Sequence, residues 1–266
     1  MMIRAVDANS KNDFLSYCSD KPLGIKAAAL LNSYGTDYSF ADFWISYENG
    51  AVSAAISRFN GNLTLLCDEV NDELCDFIIS LGDECVTSDY ETMRRILSKT
   101  DTFTELKSGY TLELSKKSEV LPCDDFVLNY EPSVSEFCKL LSESEGKSIT
   151  IGDYNNFYAD VSHRVRHGTS KCVTGVLNGE SVSTAAASAI SGCGITIGAV
   201  SVREDKRRLG IGYKTVSGLI DMLFKTGIAN NKKICLLRVN GENEEFYQKL
   251  GFQSTGKWMS AKMRRG

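Results

Sequence analysis

A basic, glycine-containing loop lies between an apolar run and a helical pattern in the second half of the chain. It follows Val200-Ser201-Val202 and reads Arg203-Glu204-Asp205-Lys206-Arg207-Arg208-Leu209-Gly210-Ile211-Gly212. The first turn of a helix has backbone N–H groups without internal partners and carries about half a positive charge. The glycines let the backbone approach a ligand closely, and three consecutive cationic side chains add charge. The spacing Arg207-x-x-Gly210-x-Gly212 therefore predicts an anion site of the kind that holds a pyrophosphate.

Strands and helices that would position this loop are predicted along the second half. Alternating or continuous apolar runs predict strands over residues 126–130, 172–177, 182–190, 195–202, 234–239 and 252–263. Apolar residues at helical spacing predict a helix capped by Ser133, a second helix over 154–165, a third after the glycine loop and a short fourth over 243–250. Asn178-Gly179 predicts a hairpin turn, and Gly227 the end of the third helix.

The first half has a similar order of predicted elements. The predicted strands cover 2–6, 43–47, 51–58, 63–66, 84–87 and 104–114, and the predicted helices cover 12–18, 25–31, 73–81 and 91–97. Where the second half has its basic loop, this half has the acidic residues Asp68, Glu69, Asp72 and Glu73 and no paired glycines. Because these carboxylates would repel a pyrophosphate, the first half is predicted not to bind one.

The polar segment 115–122, which ends in a proline, is predicted to link two domains, residues 1–117 and 118–266. The composition is that of an ordinary soluble globular protein, with 42% hydrophobic and 24% charged residues. A net charge of −4 argues against a dedicated nucleic-acid binder. The sequence has no signal-like core and no apolar run of about 18 residues, so neither secretion nor a membrane span is predicted.

Nine cysteines are scattered through the chain without a C-x-x-C pair, which favours reduced thiols and a cytoplasmic location. His163 and His167 share a helix face, but two arginines lie between them and the H-E-x-x-H pattern of zinc sites is absent. A structural or solvated role, or the wall of an acceptor site, is preferred to a metal site, and no metal is predicted. Cys193 precedes a strand, but nothing nearby in sequence would lower its pKa and make it a nucleophile.

A second motif, Asn240-Gly241-Glu242-Asn243-Glu244-Glu245-Phe246-Tyr247-Gln248-Lys249-Leu250-Gly251-Phe252, begins after the 234–239 strand. Together with the glycine loop, it resembles the GNAT superfamily of acyl-CoA-dependent N-acetyltransferases, in which a Q/R-x-x-G-x-G/A loop precedes an Asn and an F/L-Y-x-K-x-G-F helix. The motifs cover roughly residues 120–266. The first half matches only in element order, and it looks like a degenerate copy.

The resemblance implies an α/β (α+β) fold of tandem GNAT-like domains, each a mixed, mostly antiparallel twisted sheet flanked by helices. It also implies acetyl-CoA as co-substrate. The backbone of Val200, Ser201 and Val202 would pair with the pantetheine amides. Main-chain groups from Arg207 to Tyr213 would surround the pyrophosphate, a set comprising Arg207, Arg208, Leu209, Gly210, Ile211, Gly212 and Tyr213. Asn240 would contact the cofactor arm, and Tyr247 would place its phenol near the sulfur.

The implied chemistry is direct attack of a neutral amine on the thioester in a ternary complex. A backbone N–H at the end of the 195–202 strand would stabilise the developing oxyanion, an effect of about 3 kcal/mol. Thiols and phenols have ordinary pKa values of about 8.5 and 10, so Tyr247 is suited to donate a hydrogen bond to the leaving thiolate. No carboxylate stands on the 195–202 strand, and no general base is assigned.

The predicted function is therefore acetyl transfer from acetyl-CoA to a primary amine, on either a small molecule or a peptide, without nucleic-acid or membrane partners. A CoA-binding module without transferase activity is the main alternative, because half of the chain already looks degenerate. A nucleotide-binding domain of another family fits poorly, because no Walker-type Lys-Ser pair follows the glycines. The sequence specifies neither the acceptor nor the oligomeric state.

Overall fold

A computed structural model of the chain describes residues 2–119, 125–143 and 153–264. The first half contains six strands and four helices. In chain order they are β1 (Met2–Ala5), α1 (Lys11–Cys18), α2 (Pro22–Tyr34), β2 (Ala41–Glu48), β3 (Ala51–Phe59), β4 (Asn62–Cys67), α3 (Asp72–Leu81), β5 (Cys85–Asp89), α4 (Tyr90–Lys99) and β6 (Phe103–Leu114).

The second half repeats this order. Its elements are β7 (Phe126–Asn129), α5 (Val134–Glu143), α6 (Tyr154–Arg166), β8 (Lys171–Leu177), β9 (Glu180–Ile190), β10 (Gly194–Val202), α7 (Ile211–Lys225), β11 (Lys233–Val239), α8 (Glu244–Lys249) and β12 (Phe252–Met263). A short 3₁₀ helix over Glu204–Lys206, which the sequence did not predict, precedes α7.

Three hairpins are closed by Asn-Gly pairs in which both residues have positive φ. The φ values are 51° and 81° at Asn49-Gly50, 47° and 71° at Asn60-Gly61, and 51° and 83° at Asn178-Gly179. Two-residue turns of this kind match the right-handed twist of the flanking strands, and Asn and Gly tolerate the left-handed conformation best. The sequence therefore determines these turns locally.

All twelve described strands form one sheet, in the order β1-β2-β3-β4-β5-β12-β6-β11-β10-β9-β8-β7. The last strand of each half is exchanged: β12 pairs with β5 of the first half, and β6 pairs with β11 of the second. The two exchanged strands also pair with each other, antiparallel, from Phe252–Leu114 to Met263–Phe103. Each half thus completes the sheet of the other.

Helices cover both faces of the sheet. On one face, α3 and α4 enclose a core with Phe103 and Met259, and α7 encloses a core with Leu236 and Phe252. On the opposite face, α1 and α2 pack over β2–β4, and α5 and α6 pack over β8 and β9. Helix α2 also reaches the second half, where Ile25 and Ala29 pack on Ala189 and Cys235.

The predicted fold class is confirmed, since mixed pairing, mostly antiparallel, and flanking helices are found in both halves. The predicted domain boundary at 117/118 stays a prediction, and the sheet crosses it through the exchanged strands. Residues 120–122 of the predicted linker lie outside the described residues. Within the described part the eight cysteines are all free, and six of them are buried.

Candidate active site: a cleft between two separating strands

A cleft opens where the parallel strands β10 and β11 separate. They pair only from Gly194 to Thr196, which lie opposite Lys233 to Cys235. Beyond these pairs, residues of both strands line a cleft of 1010 Å³, together with the loop before α7 and the helix α8. The β10 backbone edge that faces the cleft is therefore available to pair with an extended ligand.

A bulge in β10 lies at the head of this cleft. Its pairing with β9 shifts between Gly198 and Ser201, and Ala199 has a φ of 49°, which is unusual for a residue with a side chain. The Thr184 hydroxyl donates to the Ala199 carbonyl at 2.8 Å and so holds the bulge in place. Ala199 and Val200 consequently lie outside both strand ladders and line the cleft.

The loop before α7 presents backbone amides and cationic groups to the same cleft. Gly210, at φ 75°, precedes α7 without a side-chain cap, and the first intrahelical bond runs from the Lys214 N–H to the Gly210 carbonyl at 3.1 Å. The amides of the intervening first turn have no acceptor within the helix. Arg208 also has a positive φ, 65°, and within the described residues forms no ion pair. This geometry suits an anion.

The remaining charges of the loop are used internally. Arg203 donates to Asp205 at 2.7 Å and to Glu180 at 3.2 Å, and its hydrogen bond lowers the pKa of the Asp205 carboxyl. Lys206 also pairs with Asp205, at 3.4 Å, and does not line the cleft. The Arg207 guanidinium donates to the Val202 carbonyl at 3.0 Å, which ties the loop to the strand end.

Most residues predicted to bind the cofactor line this one cleft. They are Val200, Ser201, Val202, Arg207, Arg208, Gly210, Gly212 and Tyr213. The other three do not contribute to the cleft lining: Leu209 is 61% exposed, the Ile211 side chain is buried against Phe126 and Val182, and the exposed Asn240 donates its backbone N–H to Ser108 at 3.0 Å. The motif Arg207-x-x-Gly210-x-Gly212 had predicted a helix opening at Arg207, but α7 begins at Ile211, because Arg208 and Gly210 adopt left-handed conformations.

Tyr247 lies on α8 at the opposite wall of the cleft. Its ring packs edge-on against Phe246 and Phe252, with centroid distances of 4.9 and 6.1 Å. Burial, with a smaller contribution from the negative charge of Glu242, raises the pKa of Tyr247 to about 12. The phenol therefore keeps its proton at neutral pH and is available as a hydrogen-bond donor rather than as a base.

Several cleft residues were not predicted from the sequence. Carboxylates line the cleft beside Tyr247, at Glu242, Glu244 and Glu245, and Arg238 projects from β11 with 5% exposure. The Arg238 guanidinium donates to the Glu242 carbonyl at 3.1 Å and lies 3.4 Å from the Glu244 carboxylate. The sequence did contain a signal for Arg238, because it is the one charged residue in the otherwise apolar strand pattern Ile234–Val239.

At the equivalent position in the first half, side-chain hydrogen bonds bridge the separating strands and cap the following helix. There β4 and β5 also pair over only three residues, Asn62 to Thr64 with Cys85 to Thr87. The Ser88 hydroxyl donates to the Leu65 carbonyl at 2.8 Å beyond these pairs, and Leu65 is fully buried. The start of α3 is capped by the Asn71 side chain, which accepts from the Leu74 N–H at 2.9 Å. That this half binds no cofactor stays a prediction.

His163 and His167 stack on each other with ring centroids 4.0 Å apart. The His163 Nε2 lies 2.9 Å from the Ser33 carbonyl, and the His167 Nδ1 lies 2.8 Å from the His163 carbonyl. His163 also lines a second cavity of 440 Å³ between α6 and the first half, together with Tyr34, Tyr38, Phe40, Phe59, Asp160 and Arg166. The hydrogen bond to Ser33 gives His163 a structural role between the two halves.

Cys193 lies outside the cleft, with its sulfur 3.0 Å from the Ser191 hydroxyl. Across the described residues, no group of three or more His, Cys, Asp or Glu side chains is arranged to hold a metal ion. In the same part of the chain, no helix combines the length and apolar character needed to cross a membrane.

Comparison with known proteins agrees with this geometry. Residues 173–260, which contain the cleft, match the family of FR47-like proteins. No curated protein matches the chain significantly in sequence. A GCN5-related N-acetyltransferase from Sphaerobacter thermophilus is similar in structure, with a TM-score of 0.68 and 11% identity, over 100% of this chain and 96% of that one.

Two further solved structures share the architecture. A GCN5-related N-acetyltransferase from Kribbella flavida has a TM-score of 0.64 and 12% identity, over 92% of this chain and 96% of that one. A tandem GNAT protein from the clavulanic acid biosynthesis pathway has a TM-score of 0.65 and 11% identity, over 98% of this chain and 97% of that one. At such low identity these likenesses show the fold: both halves of this chain share the architecture of these N-acetyltransferase structures, as the predicted resemblance implied.

Proposed function

We propose that this protein is an N-acetyltransferase that moves an acetyl group from acetyl-CoA to a primary amine by direct attack in a ternary complex. The observation that carries the proposal is the β10–β11 cleft. The part of β10 that does not pair with β11, an uncapped helix start with Arg208 beside it, and the protonated Tyr247 all line this single cavity. A non-catalytic acyl-CoA-binding module is the alternative, because the first half has no cofactor motif.

The residues present fit acetyl-CoA. The cleft volume of 1010 Å³ lies at the upper end of the range of about 300–1,000 Å³ typical of ligand sites. The amides at the start of α7 and the Arg208 guanidinium would hold the pyrophosphate. The β10 edge from Val200 to Val202, which lies beyond the pairs with β11, would pair with the pantetheine amides. Bound acetyl-CoA would supply an activated acyl group and a thiolate leaving group.

The chain contributes positioning, charge stabilisation and a proton donor. The β10 bulge leaves backbone at Ala199 and Val200 unused by the sheet, so an N–H there would donate to the acyl oxygen as it gains negative charge. As the C–N bond forms and the C–S bond breaks, the Tyr247 hydroxyl would donate its proton to the departing sulfur. The proton released by the attacking nitrogen would pass to solvent, from which Tyr247 would be reprotonated. Glu244 is paired with Arg238, but Glu242 and Glu245 outnumber Lys249 on the wall near Tyr247. The negative charge that remains favours a cationic amine as acceptor, on a small molecule or a peptide.

Calorimetric titration with acetyl-CoA, followed by measurement of CoA release with a panel of amines, tests the proposal. We expect one acetyl-CoA per chain. In the first half, the Ser88 hydroxyl bonds across the gap between β4 and β5, and the start of α3 is already capped by Asn71. Release of CoA that depends on an amine would establish the enzyme. Tight binding of acetyl-CoA without release of CoA for any amine in the panel would establish the binding module. Two binding sites per chain would contradict the prediction that the first half binds no cofactor.

The pH dependence of turnover should show a rising limb only. The acceptor must be neutral to attack, so kcat/KM should rise with pH toward the pKa of the amine, about 10.4 for a lysine-like acceptor. Because Tyr247 has a raised pKa, it loses its donor proton only as the pH approaches about 12. Rates measured from about pH 6 to about pH 10, with circular dichroism as a check of folding, should therefore not fall on the alkaline side. An alkaline fall that disappears in Tyr247→Phe would contradict this assignment.

A further inference from the structure

The helix that carries Tyr247 is short and weakly capped. It has six residues, Glu244–Lys249, and its N-cap Asn243 has a φ of 52° and no side-chain hydrogen bond. The preceding Gly241 also has a positive φ, 77°. A helix of this length is not stable by itself in water, so contacts with the rest of the protein must fix its position.

The Arg238 guanidinium supplies such contacts. It connects β11 to the turn before α8, by its hydrogen bond to the Glu242 carbonyl, and to the first helical residue, by its ion pair with Glu244. Its own position is fixed by the ring of Tyr110, whose centroid lies 4.8 Å from the guanidinium carbon. We call Arg238, Tyr110 and Glu244 the Arg238 latch.

One member of the Arg238 latch, Tyr110, belongs to the first half. Tyr110 lies on the exchanged strand β6, directly opposite Arg238 in the ladder with β11. On the same strand, Ser108 accepts the Asn240 N–H, and Gly109 approaches so closely that a Cβ there would lie 1.9 Å from the Arg238 carbonyl. The first half thus holds the β11 end of the segment that leads into α8, at Arg238 and Asn240.

We propose that Arg238 is a positioning residue for Tyr247, and that the first half contributes to the active site by holding Arg238 through Tyr110. The inference rests on the proposed role of Tyr247 in acetyl transfer. The inference gives the first half a role in catalysis, although that half has no cofactor motif.

The competing explanation is that the Arg238–Glu244 ion pair only stabilises the fold. The stability of a variant that lacks Arg238 distinguishes this explanation from a positioning role. The Arg238 Nε is buried and has no hydrogen-bond partner within the described residues, while Glu244 is 62% exposed. Removing one partner of an ion pair is costly when the charge left behind is buried, but Arg238→Met leaves only the solvent-exposed carboxylate of Glu244. Arg238→Met should therefore leave the fold intact and loosen only the placement of α8.

A double-mutant cycle of Arg238→Met and Tyr247→Phe tests the proposal. We expect Arg238→Met to lower kcat by about 10-fold with the Kd for acetyl-CoA within about 2-fold, because a displaced donor acts only in the transition state. In the Tyr247→Phe background the same change should have no further effect, since both act through one hydroxyl. Lys257→Met is the matched control, because Lys257 lies 5.7 Å from the same Tyr110 ring, and its kcat should stay within about 2-fold of the wild type.

Additive effects in the cycle, or an Arg238→Met variant with wild-type kcat, would overturn the proposal. If no amine is acetylated, that result counts against the proposed function alone. Amide hydrogen exchange then still tests whether Arg238 positions α8. Arg238→Met should then speed exchange of the Tyr247 amide, which donates to the Asn243 carbonyl at 3.2 Å, and leave α7 unchanged. Unchanged exchange at Tyr247 would show that Arg238 does not hold α8.

Discussion

The double variant Arg208→Glu/Gly210→Asp is expected to bind acetyl-CoA at least about 100-fold more weakly than the wild type. Arg208 has no ion-pair partner among the described residues and faces the cleft, so its replacement exchanges attraction for repulsion of the pyrophosphate. The carboxylate introduced by Gly210→Asp would lie at the uncapped start of α7 and compete for the same amides. Two charge-assisted contacts of about 1.5 kcal/mol or more each account for this loss.

Calorimetric titration of both proteins with acetyl-CoA measures the effect, and circular dichroism verifies that the variant is folded. Lys206→Glu is the matched control, because Lys206 belongs to the same loop but pairs with Asp205 and lies outside the cleft. It should weaken binding by no more than about 5-fold, through long-range charge alone. If the folded double variant bound as tightly as the wild type, the loop would be a structural turn and the proposed cofactor site would be wrong.

The element order was predictable because its determinants are local. Asn-Gly pairs closed the hairpins, apolar spacing outlined the helices, and Asp or Ser residues stood at helix starts such as Asp153 and Ser133. The loop charges and glycines also predicted many of the residues that line the β10–β11 cleft. These features depend on residues within a few positions of one another, so a single sequence is enough to read them.

The exchange of β6 and β12 could not be predicted, because it is decided by pairing between distant strands. Both are long, mixed apolar and polar strands that fit next to either β5 or β11 by pattern alone. The left-handed Ala199 and the buried Arg238 were missed for a related reason. The Ala199 conformation depends on Thr184 from the neighbouring strand, and the contacts of Arg238 depend on Tyr110 from the other half.

Tyr247→Phe is expected to lower kcat by about 100-fold and to leave the Kd for acetyl-CoA within about 2-fold, since general acid catalysis typically contributes at least this much. The substitution removes the hydroxyl but keeps the ring, so the contacts with Phe246 and Phe252 and the shape of the cleft wall persist. Loss in kcat without loss in binding is the pattern expected of a group that acts only in the transition state. Steady-state release of CoA together with calorimetric binding separates the two quantities.

Tyr130→Phe makes the same chemical change at a tyrosine that is 40% exposed and outside the cleft, and its kcat should match the wild type. A Tyr247→Phe variant with wild-type turnover would remove the phenol from the mechanism while leaving the fold and the cofactor site in place. Proton delivery to the sulfur would then have to come from solvent. The roles of Arg238 and of the first half would also reduce to the support of α8, because their proposed effect on rate depends on this one hydroxyl.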